Sequence, residues 1–139
     1  MTTTRGKRKF RPLPSSDVCL TYELLHSRGL VSFPITDEAK AKVDTLVTNI
    51  GRTYWKKEIY PSNELKAVAY LYFIIKDHPF TDGNKRTASL VFSVVCEING
   101  LKPDYSEFTL DEIAVFIEKI QEDDHQRVIK VLSNVLFGG

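Results

Sequence analysis

The stretch Ala67-Val68-Ala69-Tyr70-Leu71-Tyr72-Phe73-Ile74-Ile75 runs through Lys76-Asp77 into the polar segment His78-Pro79-Phe80-Thr81-Asp82-Gly83-Asn84-Lys85-Arg86-Thr87, and then into Ala88 to Ile98. All nine residues from Ala67 to Ile75 are apolar, as are eight of the eleven from Ala88 to Ile98. Helices hydrophobic on nearly every side belong at the centre of a domain, so two central helices joined by a polar loop are predicted. Ser62 or Asn63 caps the first, which runs to about Asp77. The second starts near Asn84 or Lys85 and ends at Asn99-Gly100, a pair suited to a left-handed cap.

Shorter amphipathic segments surround this pair. Ser15 or Ser16 caps a helix to about His26, closed by Arg28-Gly29. Thr36 caps another, with Ala39, Val43, Leu46, Val47 and Ile50 at helical spacing and Gly51 behind them as a C-terminal glycine. Thr109-Leu110-Asp111-Glu112 is a capping box opening a helix to Ile120. A last helix runs from about Asp124 to Phe137, with Val128, Leu132, Val135 and Leu136 on one face. Gly51 to Pro61 departs from this pattern: Arg52-Thr53-Tyr54-Trp55-Lys56-Lys57-Glu58-Ile59-Tyr60 is aromatic, β-prone and charged, and reads as a flap or irregular hairpin. The expectation is an all-α bundle of about six helices over residues 15–139, preceded by a basic arm, residues 1–14.

A chain of 139 residues suits one domain, and 42% hydrophobic with 27% charged residues excludes a disordered protein. The longest apolar run is nine residues, far below the roughly 18 needed to span a membrane. No charged-then-apolar leader opens the chain, so a cytoplasmic protein is expected. Cys19 and Cys96, 77 positions apart in apolar surroundings, read as reduced core residues and not as a disulfide or metal site. The net charge of +1 hides an asymmetry. Arg5, Lys7, Arg8, Lys9 and Arg11 put +5 on residues 1–11, and the other 128 residues sum to −4, with eight acids and one base between Asp104 and Asp124. Five basic residues can touch nucleic acid or an acidic partner, but they fit a solvated terminus better, and nucleic acid is not the expected partner.

The loop between the central helices carries more than a connector needs. Asp82-Gly83-Asn84 alone supplies a turn and a cap, yet a histidine, a carboxylate, a lysine and an arginine fall within positions 78–86. The N-terminus of a helix binds anions through its free N–H groups and dipole. Gly83 lets backbone approach a ligand, and Lys85 and Arg86 add charge for phosphate. Asp82 is placed to hold a hard cation such as Mg2+, and His78 to act as a general base. The alternative is a histidine that merely ends a helix and an aspartate that merely caps one. Taken together the residues make a phosphate-handling active site.

These residues resemble the signature of the Fic/Doc family, H-x-F-x-[D/E]-G-N-G-R-x-x-R in its Fic form. His78, Phe80, Asp82, Gly83, Asn84 and Arg86 match six of its eight specified positions. Leu71 to Asp77 and Ile59-Tyr60-Pro61 are especially similar to the Fic-type domain of RhuM-like virulence-associated proteins. The resemblance implies an all-α fold and nucleotide-dependent modification of a Ser, Thr or Tyr hydroxyl on a target protein, with ATP and Mg2+. It implies that His78 deprotonates the hydroxyl, Phe80 plugs into the core, and Asp82 holds Mg2+. It also implies that Gly83 and Asn84 cradle the phosphates and that Arg86 neutralises transition-state charge.

Two positions depart from the family pattern: Lys85 stands for its second glycine and Ser89 for its second arginine. In AMP-transferring members those positions accommodate the β- and γ-phosphates, and a lysine obstructs that pose. The Doc branch also carries N-K-R and is understood to transfer the γ-phosphoryl group, so Lys85 points to a protein kinase, although Gly83 is the Fic choice where Doc has alanine. A degenerate Fic module that only binds nucleotide or a partner is a further alternative. In the family a flap pairs with the target by strand addition; Tyr54 to Tyr60 fits that place, with Trp55 and Tyr60 as contacts or as simple edge cover. The self-inhibiting motif [S/T]-x-x-x-E-[G/N] does not occur in the sequence, so a toxin-type protein restrained by an antitoxin chain, by homo-oligomerisation or by a further partner domain is expected.

Overall fold

The computed structural model describes residues 8–138. Helix α3, Asn63–Asp77, is the hub of the fold: residues 67–72 and Ile74 are each at most 1% exposed. Four helices pack around it: α4 (Asn84–Ile98), α6 (His125–Phe137), α2 (Asp37–Ile50) and α5 (Leu110–Lys119). Helix α1, Ser15–Ser27, lies against α2 and α4. Burying each large aliphatic or aromatic side chain here contributes roughly 1.5–3 kcal/mol, which is why an isolated apolar helix of this length is stable only at the centre.

Most caps follow the local sequence. Ser62 accepts from Leu65 N–H, Thr36 from Ala39 N–H and Asp124 from Arg127 N–H, and Thr109 with Glu112 forms the full capping box. Helix α1 differs: Pro14 takes the cap position without a side-chain bond, and Ser15 Oγ instead donates to Asp44 of α2 at 3.0 Å. Gly51 also differs, with φ −88°, whereas Gly29 and Gly100 do adopt positive φ behind their helices. Cys19 and Cys96 are free and buried, and desolvation pushes the Cys96 thiol up to about 12.

The described part of the expected basic arm, residues 8–14, is tied to the helical domain. Arg11 N–H donates to Asn99 Oδ1 at 2.7 Å, and Asn99 Nδ2 donates back to Arg11 O at 3.0 Å. Leu13, 7% exposed, exchanges two hydrogen bonds with the Tyr70 hydroxyl. Asn63 Nδ2 donates to Arg8 O. An extended segment that finds partners for its backbone polar groups can pack against a core without forming a sheet. Arg5 and Lys7 lie outside the described residues.

The flap is a tight hairpin of β1 (Thr53–Tyr54) and β2 (Lys57–Glu58), antiparallel, with Thr53 opposite Glu58 and Tyr54 opposite Lys57. Its turn residues, Trp55 at φ 55° and Lys56 at φ 65°, are both left-handed, as a two-residue hairpin turn of the mirror-image type requires. Tyr60, read as a flap contact or as edge cover, is 7% exposed and packs edge-on against Phe73 of α3 at 6.1 Å, as edge cover would. It sits beyond the end of β2, where the chain turns back into the core, and burial pushes its hydroxyl up to about 12. Tyr54 and Trp55 are the exposed aromatics of the flap, at 68% and 82%.

Candidate active site

Helix α3 stops at Asp77 because His78 adopts a left-handed conformation, φ 53° and ψ 53°, and turns the chain out of the helix. Histidine is among the few non-glycine residues enriched there. Its side chain is exposed, and among the described residues its ring makes one polar contact, a long one of 3.4 Å between Nδ1 and Ile75 O.

The loop that follows is pinned from two sides. Phe80, 2% exposed, stacks on Tyr22 of α1 with ring centroids 4.2 Å apart and planes 9° from parallel. Asn84, 4% exposed, closes the loop from the other side: Phe80 N–H donates to Asn84 Oδ1 at 3.0 Å, and Asn84 Nδ2 donates to Phe80 O at 2.8 Å. The Asn84 side chain is therefore committed to shaping the loop, and only its backbone N–H remains for a phosphate.

Gly83 takes the N-cap position of α4 at φ +76°, and a Cβ built on it would lie 2.2 Å from Val31 Cγ1. Among the described residues no side chain caps the first turn of α4, and no acid sits within it. Its N–H groups are thus left for an external acceptor, which is what an anion site at a helix N-terminus needs. Lys85 and Arg86 add two cationic side chains to that same turn, Arg86 exposed and Lys85 paired with Glu118 of α5 at 3.1 Å. Asp82 Oδ2 accepts from Ser32 N–H at 3.0 Å, and this bond holds the loop between α1 and α2 against the motif.

His78, Asp82, Gly83, Asn84, Lys85 and Arg86 line one open cavity of about 650 Å³. Ser89 continues its floor along α4, Leu30 stands at its side, and Leu110, Asp111 and Glu118 bring α5 into its wall. The cations of α4 and the acids of α5 thus share one cavity lining. Within the motif loop the carboxylate beside the cationic turn is Asp82, and it fits Mg2+, an ion commonly held by one or two carboxylates together with substrate phosphates. Trp55 and Tyr60 are not among the lining residues, so the structure does not bring the hairpin into the cavity.

Sequence reasoning missed Val31, Ser32, Asp111 and Glu118. The acidic surplus between Asp104 and Asp124 included both α5 residues, but charge along a chain does not say which helix it faces. Val31 and Ser32 carried no signal at all.

Neither the curated proteins nor the solved structures contain a match to this chain. A family model described as the Fic/DOC family matches residues 12–96. The match takes in α1 to α3 and α4 as far as Cys96, with the whole pinned loop between them, while α5 and α6 lie beyond it. Because it covers more than half of the chain, this protein belongs to the Fic/DOC family.

Proposed function

We propose that the protein is a Fic-type transferase that uses ATP to modify a hydroxyl side chain of a target protein, and that the group transferred is the γ-phosphoryl. The observation that carries this reading is the uncapped, acid-free first turn of α4, bearing Lys85 and Arg86 beside His78 in one cavity. His78 accepts the proton of the target hydroxyl as its oxygen forms the new bond to phosphorus, and the bond to the departing ADP oxygen breaks. The backbone N–H groups of the α4 turn and Arg86 stabilise charge on the transferred group. Asp82 would hold Mg2+, which supplies charge neutralisation on the phosphates when bound.

Lys85 supports phosphoryl over AMP transfer, because its side chain enters the cavity where AMP-transferring relatives have a glycine. Gly83 does not count against this. Its positive φ and the 2.2 Å approach of Val31 account for a glycine there whichever group is transferred. The target is taken up as an extended segment beside the hairpin, where Tyr54 and Trp55 are exposed. Restraint by a separate antitoxin chain or by homo-oligomerisation belongs to the same reading, because the self-inhibiting motif does not occur in the sequence.

ATP labelled separately at the α- and γ-phosphates tests the reaction in cell lysate. Label on protein from the γ-position only, lost in His78→Asn, is expected. Label from the α-position alone would establish AMP transfer instead. A second reading, a silent nucleotide-binding module, is favoured by Ser89 standing in the cavity where the family has its second arginine. It predicts nucleotide binding by calorimetry with no change in the intact mass of any target.

A further inference from the structure

Lys66, in the first turns of α3, is 6% exposed. A buried ammonium is stable only with partners. Its Nζ lies 2.6 Å from Glu58 Oε1, donates to Tyr60 O at 2.5 Å, and stands 5.8 Å from the centre of the Phe10 ring. Glu58 belongs to β2, and Tyr60 follows two residues later. The ammonium therefore grips one strand of the hairpin through a side chain and the chain just behind it through a backbone carbonyl.

The hairpin has little else to hold it. Each strand is two residues long and exposed, and the turn places two non-glycine residues at positive φ. An isolated two-stranded hairpin is marginal in water even with longer strands. Beyond the ladder, one bond closes its base, from Ile59 N–H to Arg52 O at 3.2 Å.

We propose that Lys66 is a positioning residue, which through Glu58 and the Tyr60 carbonyl fixes the hairpin on α3, the helix whose far end carries His78. Lys66 and His78 are twelve residues apart, about 18 Å along the axis of one helix. One rigid element thus sets the place of the hairpin relative to the catalytic base. The consequence for target binding rests on the functional reading above, in which the hairpin receives the target.

The test uses the full chain and the variants Lys66→Met, Lys66→Arg and Glu58→Ala. Trp55 is the only tryptophan and sits on the hairpin turn, so its fluorescence anisotropy reports hairpin motion directly. Exchange of the Ile59 amide, followed by NMR, reports opening of the hairpin base. In Lys66→Met and Glu58→Ala the Ile59 amide is expected to exchange at least tenfold faster and the Trp55 anisotropy to fall, with α4 amides unchanged. KM for the target rises at least tenfold while ATP affinity stays within twofold, and Lys66→Arg restores part of both effects. Unchanged exchange and anisotropy in Glu58→Ala overturn the proposal, as does a loosened hairpin with unchanged target KM. Glu58 is half-exposed, so Glu58→Ala decides the question if Lys66→Met does not fold. If the wild-type chain transfers nothing, the functional reading falls, and exchange and anisotropy still decide whether Lys66 anchors the hairpin.

Discussion

Val31 occupies the space that a side chain on Gly83 would need: its Cγ1 is 2.2 Å from the position of an ideal Cβ. The loop between α1 and α2 is therefore moulded onto the motif, and the Ser32 N–H bond to Asp82 one residue further along locks the same contact. The first turn of α4 is shaped as much by the loop behind α1 as by the motif itself.

Gly83→Ala is expected to destabilise the protein by about 2–4 kcal/mol, combining overpacking against Val31 with an L-residue forced into the left-handed region. In a Val31→Ala background the same substitution costs only the conformational part, about 1–2 kcal/mol. Urea denaturation of the four proteins in the cycle checks this, and additivity of the two substitutions would refute the contact.

Asn84→Ala removes both bonds to Phe80 and leaves a buried N–H and a buried carbonyl without partners. A loss of about 2 kcal/mol or more is expected, since each unsatisfied group costs roughly 1–3 kcal/mol. Nucleotide affinity falls with it, because the loop is no longer held. Denaturation and calorimetry on the same sample separate the two effects.

Lys85 pairs with Glu118 at 3.1 Å, and both side chains are partly exposed. Glu118→Gln frees the ammonium for a ligand phosphate and is expected to tighten ATP binding about two- to fivefold, in keeping with the ~0.2–1 kcal/mol of an exposed pair. Lys85→Ala is expected to weaken it about tenfold. Calorimetry at two salt concentrations checks both, and the Glu118→Gln gain shrinks as salt rises.

Alkaline pH is expected to unfold the protein cooperatively. Desolvation raises the hydroxyls of Tyr60 and Tyr70 to about 12 and the Cys96 thiol also to about 12, from ordinary values of 10, 10 and 9. The folded state keeps these protons where the unfolded state has released them. Stability contributed by each group is thus full below its ordinary value and is lost as pH climbs towards 12, at about 1.4 kcal/mol per pH unit per group. Tyrosine absorbance and circular dichroism titrated together should move as one transition between about pH 10 and 12. Ionisation of all six tyrosines ahead of unfolding would contradict it.

Every helix was legible in the sequence, because helical spacing and caps such as Ser62, Thr36 and Thr109 act within a few residues of one another. The motif was legible for a similar reason: His78, Asp82, Lys85 and Arg86 are neighbours in the chain, and a loop between two apolar helices has no structural need of them. Even the first cap was misplaced by only one residue, where Ser15 found Asp44 instead of its own helix.

What stayed hidden depended on distant parts of the chain meeting. Nothing near Tyr60 in the chain shows that α3 buries it, and nothing near Asn84 shows that its side chain bonds Phe80. Residues 8–14 read as a solvated arm until Asn99 and Tyr70 supply partners for their backbone. Six helices and the clustering of polar groups in the loop could be read from the residues alone, since short-range periodicity, capping and chain order decide those. Three contacts appear only once the chain is folded: Val31 against Gly83, Glu118 with Lys85, and Lys66 with Glu58 of the hairpin. Those contacts join residues from 8 to 52 positions apart, and helix packing, not local preference, brings them together.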